Sequence, residues 1–218
     1  HFLKNETGIL HIMLTMAVIN FFSRLTYENI LSPMILSRSS GNNVVLGIVN
    51  ACMGIGGIIG GLLVSVKKES RKKANMIYIS AAVSFLLGDL TMAIGRNVFF
   101  WSFAAFAASL PIPFITAEQN VILYKKIPEK MQGRVFAVRN AIQYSTIPFG
   151  ILLGGYLADY IFEPFMRSDA DIVSFLEMLV GNGAGSGMAV MFLCTGICGF
   201  AMSILSLRSK KIQELNEC

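Results

Sequence analysis

Charge is what this sequence most lacks. Asp, Glu, Lys and Arg supply only 14% of its 218 residues, hydrophobic residues supply 54%, and the mean hydropathy is +0.62. A soluble domain carries about a quarter of charged residues, so an ordinary soluble fold is excluded. Histidine is nearly absent as well, with only His1 and His11 present. No H-E-x-x-H and no G-x-S-x-G occurs, which removes the anchors of soluble metal and nucleophile chemistry. Neither an enzyme nor a cofactor nor a metal site is expected. Cysteine is sparse: Cys52, Cys194 and Cys198 lie in apolar runs and Cys218 is the last residue. Cys194 and Cys198 share a helix face at i, i+4 without a His or carboxylate companion, so they read as small packing residues and not as metal ligands.

Long apolar stretches are present in number. A helix needs about 20 apolar residues to span a bilayer core, and six such runs occur, at about 9–31, 44–66, 74–95, 98–124, 135–162 and 188–207. These predict an all-α membrane protein with six transmembrane helices. The first run is too long for a signal-peptide core and lacks a small-residue cleavage site. Because the chain starts at His1 and not at Met, the native protein is expected to continue upstream, with these residues as its C-terminal part.

The 18 Lys and Arg residues sort by loop. Lys4, the group from Lys67 to Lys73, Lys125, Lys126, Lys130, Arg134, Arg208, Lys210 and Lys211 fall on one side of the predicted topology. Arg38, Arg96 and Arg167 fall on the other, while Arg24 and Arg139 lie within spans. Cytoplasmic retention of positive charge then places both ends of this segment in the cytoplasm. The net charge of +5 needs no nucleic acid to explain it, and KKESRKK, residues 67–73, reads as a contact with anionic lipid headgroups.

GNGAGSG, residues 181–187, lies outside in this topology, within an external loop spanning 163–187. Its spacing is not the G-x-G-x-x-G of a dinucleotide site and no strand precedes it. Upstream, Ser168 stands where a helix cap is expected, and Ile172, Phe175, Leu176 and Leu179 recur at helical spacing. The prediction is a short amphipathic surface helix stopped by Gly181, then a flexible glycine return into the sixth span.

Within the spans, GIGGIIGG places Gly56 with Gly60 and Gly57 with Gly61 as overlapping G-x-x-x-G packing pairs, and Gly150 with Gly154 repeats the device in the fifth span. Charges inside spans tend to face a cavity or a partner, since one at mid-bilayer costs roughly 2.5–3.5 kcal/mol. Asn20, Arg24 and Glu28 form one stripe at i, i+4, i+8; Arg24 has either Glu28 or the third-span Asp89 as a partner. Glu118, beside Gln119 and Asn120, falls at the depth of Arg139, which is followed by Asn140, Gln143 and Tyr144. Glu118 and Arg139 are therefore placed to pair, either as an inner gate or latch or as a structural ion pair. Pro111 and Pro113 should kink the fourth span near mid-membrane. The substrate or proton pathway is expected to run past Asn20, Arg24, Glu28, Asp89, Glu118 and Arg139.

Gln132–Phe136 (QGRVF) and Leu157–Pro164 (LADYIFEP), at the two ends of the fifth span, resemble the corresponding motifs of the macrolide-efflux and enterobactin-exporter branch of the major facilitator superfamily. Six spans, a basic loop after the second and glycine-rich second and fifth helices resemble the C-terminal half of that superfamily. In this branch an arginine commonly occupies the position of Ser186, and the basic loop usually carries an aspartate where this chain has Lys67 or Lys68. The resemblance implies one half of a twelve-helix bundle completed by a missing N-terminal six-helix half. It also implies proton-coupled efflux of amphiphilic small molecules by alternating access in a bacterial inner membrane. Its partners would be substrate, protons and the lipid bilayer. Apart from the resemblance, a stand-alone six-helix scaffold or subunit acting with a partner is the alternative reading.

Overall fold

A computed structural model describes residues 6–68 and 72–216. His1, Lys4, residues 69–71 of the basic loop and Cys218 lie outside the described residues. Among the described residues there is no strand, and six helices are long and apolar enough to cross a membrane: Thr7–Arg38, Asn43–Val66, Lys73–Ile94, Val98–Lys126, Glu129–Phe165 and Ser186–Leu207. The chain is an all-α membrane protein, and these helices, in chain order, are its first to sixth spans.

Four of the spans are interrupted, in two cases at a proline. The first runs helical over Thr7–Tyr27 and resumes at Leu31–Arg38; Pro33 has no N–H to give the carbonyl of Asn29, so the ladder opens just ahead of it. In the fourth, Val98–Ser109 and Ile112–Lys126 are separated at Leu110–Pro111, where Pro111 and Pro113, on either side of Ile112, each remove a donor. The third and fifth each carry a π-turn, Ser84–Asp89 and Ala158–Phe162. The fifth span passes through Glu163 and Pro164 to Phe165, so the connection to the sixth begins at Met166 and not at 163.

Glycine sets which spans touch. A methyl group on Gly56 would strike Ser109 Oγ and the Phe106 carbonyl, and one on Gly60 would strike the Leu110 carbonyl, so the second span lies flush against the fourth. Gly150 and Gly154 meet Arg24 and the Leu25 backbone in the same way and join the fifth span to the first. Gly57 and Gly61 do not pack as expected: a methyl on either meets nothing within 4 Å. A helix turns about 100° per residue, so two overlapping motifs one residue apart face different ways, and only one meets the fourth span. The sixth span packs on both the first and the third, and the third is the best covered of all. Only 17% of the most apolar window in the second and the fifth spans is buried, against 56% in the third, leaving broad apolar faces outward. Cys194 and Cys198 also lie on an exposed face, not among packed side chains.

At the end of the bundle where Arg38, Arg96 and Arg167 gather, the glycine run takes a turn of positive φ. Gly181, Gly183 and Gly185 take φ of 88°, 88° and 84°, a backbone region open to glycine at little cost. Gly185 precedes the sixth helix, whose opening residues Ser186, Gly187 and Met188 are buried, with Gly187 pressed on the Phe162–Glu163 backbone. Glu163 Oε1 accepts from Met188 N at 3.2 Å, a carboxylate at a helix N-terminus. Arg38 donates to the carbonyls of Val180 (2.7 Å), Gly95 (3.2 Å) and Gly185 (3.3 Å), binding three chain segments at once. The surface helix is Asp171–Val180, preceded by Ala170. Ser168 does not cap it; its hydroxyl donates back to Phe165 O at 2.7 Å.

Arg38→Ala strips a charged donor from three carbonyls, each such bond contributing roughly 1.5–3 kcal/mol. Thermal unfolding of the detergent-solubilised protein should therefore fall well below that of Arg167→Ala, which alters an exposed arginine at the same end. Equal melting of the two variants would show that the clamp contributes nothing.

Candidate functional site

The first, third, fourth and fifth spans line a partly open cavity of about 420 Å³. Its wall is apolar at Met16, Ile19, Phe85 and Ile115 and polar at Asn20, Ser23, Tyr27, Ser84, Ser109, Thr116, Gln119 and Gln143. Mixed walls of this kind suit a ligand that is mostly apolar and carries a few polar groups. A larger space of about 750 Å³ lies in the groove between the first and fifth spans, lined by residues such as Val18, Phe21, Phe149 and Leu152. It is open and has no charged lining, so the central cavity is the better candidate for specific recognition.

Of the residues singled out from sequence, the structure brings Asn20, Arg24, Glu28, Asp89 and Arg139 onto the wall of this one cavity. The stripe at i, i+4, i+8 carries the first three to it together. Arg24 forms its ion pair with Glu28 on its own helix and not with Asp89. Asp89, 1% exposed, accepts from Thr195 Oγ1 of the sixth span at 3.1 Å. The buried hydroxyl of Tyr27 is turned toward the same carboxyl, without a well-aligned hydrogen bond among the described residues. Asp89 closes the π-turn of the third span, where Gly88 sits tight against Ala108 and Ser84 Oγ donates to Ala108 O at 2.7 Å. The turn is thus held by its neighbours on the fourth span.

Glu118 is the exception, and the expected gate with Arg139 is not formed. Glu118 points away from the cavity to Lys67, whose ammonium lies 3.2 Å from Oε1 and 5.4 Å from the centre of the Phe114 ring. The lysine follows the last turn of the second span and reaches back along its apolar stem to the buried carboxylate. Arg139 instead donates to Asn120 Oδ1 at 2.5 Å and to Asn140 Oδ1 at 2.8 and 3.1 Å, with its guanidinium 4.9 Å from the Phe136 ring centre. Equal depth did not bring the two charges together because they leave their helices in different directions.

The position beside Glu118 does face the cavity. Gln119 is 4% exposed, lines the wall, and accepts from Gln143 Nε2 at 3.3 Å. The sequence held a signal for this pair that the charged residues masked: Thr116 and Gln119 recur at i, i+3, and Arg139 and Gln143 at i, i+4.

No family model matches the chain and no solved structure matches it. It is similar to the macrolide efflux protein A of Streptococcus pyogenes, 29% identical over 138 residues that make up 61% of this chain and 33% of that protein. It is also similar to the multidrug efflux pump Tap of Mycolicibacterium fortuitum, 23% identical over 163 residues, 68% of this chain and 36% of that protein. The chain spans about a third of the length of the curated relatives it matches.

Proposed function

We propose that this chain is the C-terminal six-helix half of a twelve-helix secondary transporter of the major facilitator type, which exports amphiphilic small molecules from a bacterial cell by alternating access. The observation that carries the reading is a cavity with mixed polar and apolar walls inside an apolar six-helix bundle, in a chain whose relatives are named as efflux proteins. A protein that only scaffolds a membrane complex has no need to hold Asp89, Arg139 and the Arg24–Glu28 pair around an internal space, because each costs energy to bury in a bilayer.

In this reading both ends of the segment are cytoplasmic and the protein sits in the inner membrane. The missing half covers the exposed apolar faces of the second and fifth spans, onto which Gly57 and Gly61 open. Transport is coupled to protons, and Asp89 is the group assigned to carry them. Expression of the complete native protein in cells without other efflux pumps should lower steady-state accumulation of an amphiphilic dye, and Arg24→Ala should restore it. Unchanged accumulation on expression of the complete protein would end the export reading.

A further inference from the structure

We propose that Gln119 and Gln143 form a substrate-reading pair that selects amphiphiles presenting a hydrogen-bond-accepting oxygen, such as a carbonyl or ether, to the cavity. The inference rests on the transport reading and adds the substrate chemistry. Gln119 is almost fully buried on the cavity wall, and its amide nitrogen has no hydrogen-bond partner among the described residues. An amide donor shut away from water without an acceptor is unfavourable, and a ligand oxygen that reaches it removes the deficit.

Gln143 engages the other end of that amide. Its Nε2 donates to Gln119 Oε1 at 3.3 Å, so the oxygen of Gln119 is occupied and the nitrogen is left over. The cavity's cations are engaged elsewhere, Arg24 with Glu28 and Arg139 with Asn120 and Asn140. Ser109 and Thr116 spend their hydroxyls on the backbone, at Phe106 O and Ile112 O. Of the two buried donors on this wall without a partner among the described residues, the Tyr27 hydroxyl is turned toward Asp89, which leaves the Gln119 amide nitrogen for a ligand and makes Gln143 a positioning residue.

The test uses the complete native protein in everted membrane vesicles and two dyes. Nile red carries a carbonyl oxygen and no N–H or O–H. N-phenyl-1-naphthylamine carries an N–H and no oxygen. Gln119→Leu is expected to cut Nile red transport by about tenfold, equivalent to one hydrogen bond of ordinary strength, and to leave the naphthylamine within about twofold. Gln143→Glu offers only acceptors, so the Gln119 amide must turn its nitrogen to the new carboxylate and its oxygen to the cavity. The ratio of the two dyes should then invert in favour of the N–H donor. Because the ratio is read within one variant, poor insertion of either protein does not obscure it. A ratio unchanged from wild type in both variants overturns the pair's role while leaving transport intact. Transport of neither dye by wild type overturns the transport reading and this inference with it.

Discussion

Asp89→Asn is expected to abolish proton-driven accumulation by the complete native protein while sparing downhill substrate exchange. A carboxylate only accepts hydrogen bonds, whereas a protonated carboxyl also donates one. The surroundings of Asp89 register that difference. Thr195 has one hydroxyl hydrogen, shared between Asp89 Oδ2 at 3.1 Å and the Phe192 carbonyl at 3.2 Å, and the Tyr27 hydroxyl is turned toward the same carboxyl as a second donor. In the proposed mechanism a proton taken up by Asp89 removes the charge that draws both donors, so the contacts to the sixth and first spans weaken together. Because Asp89 closes a π-turn, this loosening falls where the third span has an alternative to its α-helical ladder. The charged groups facing it are the Arg24–Glu28 pair and Arg139 across the cavity; the neighbouring stretches of the fourth and sixth spans bring none. Asparagine keeps the size and removes the titration. Gradient-driven uptake should fall by at least about tenfold, a barrier change of about 1.4 kcal/mol, with counterflow largely retained. Coupled uptake at the wild-type level in Asp89→Asn would assign the proton elsewhere.

The second large effect concerns packing. Gly60 touches the fourth span where Pro111 and Pro113 have opened its backbone, and any Cβ there lands on the Leu110 carbonyl with Pro113 Cδ behind it at 3.2 Å. Backbone, unlike the end of a side chain, cannot swing aside. Overpacking costs about 1–3 kcal/mol per site, and Gly60→Leu must also push the second and fourth helices apart along their length. Gly60→Ala should lower the melting temperature in detergent, and Gly60→Leu should leave little folded protein by size-exclusion chromatography. A Leu variant that elutes and melts like the parent would show that the close approach is not required.

The fold class was legible because bilayer thickness leaves only long apolar helices as a simple solution, and the run lengths carry that directly. The break at Leu110–Pro111 was legible from the chemistry of proline. The π-turns were not, since Ser84–Asp89 contains no residue that demands one; contacts from Ala108 and Thr195 on other spans hold it. Ion-pair partners were legible within a helix, as for Arg24 and Glu28, where spacing alone decides. Between helices they depend on axial rotation, which hydropathy does not report, so Glu118 turned to Lys67 and its neighbour Gln119 faced the cavity. The conformation of the glycine run was hidden for a similar reason. The turn of positive φ is flanked by carbonyls of Val180 and Gly185 that accept from Arg38, more than 140 residues away in the chain.

The most direct test of the proposed function is uptake by proteoliposomes containing the purified complete native protein, with an acidic lumen imposed and no other energy source. Nile red should accumulate inside as protons leave, and the accumulation should collapse when an ionophore dissipates the pH gradient. Accumulation that is absent, or that persists unchanged after the gradient is gone, would contradict a proton-driven exporter built around this cavity.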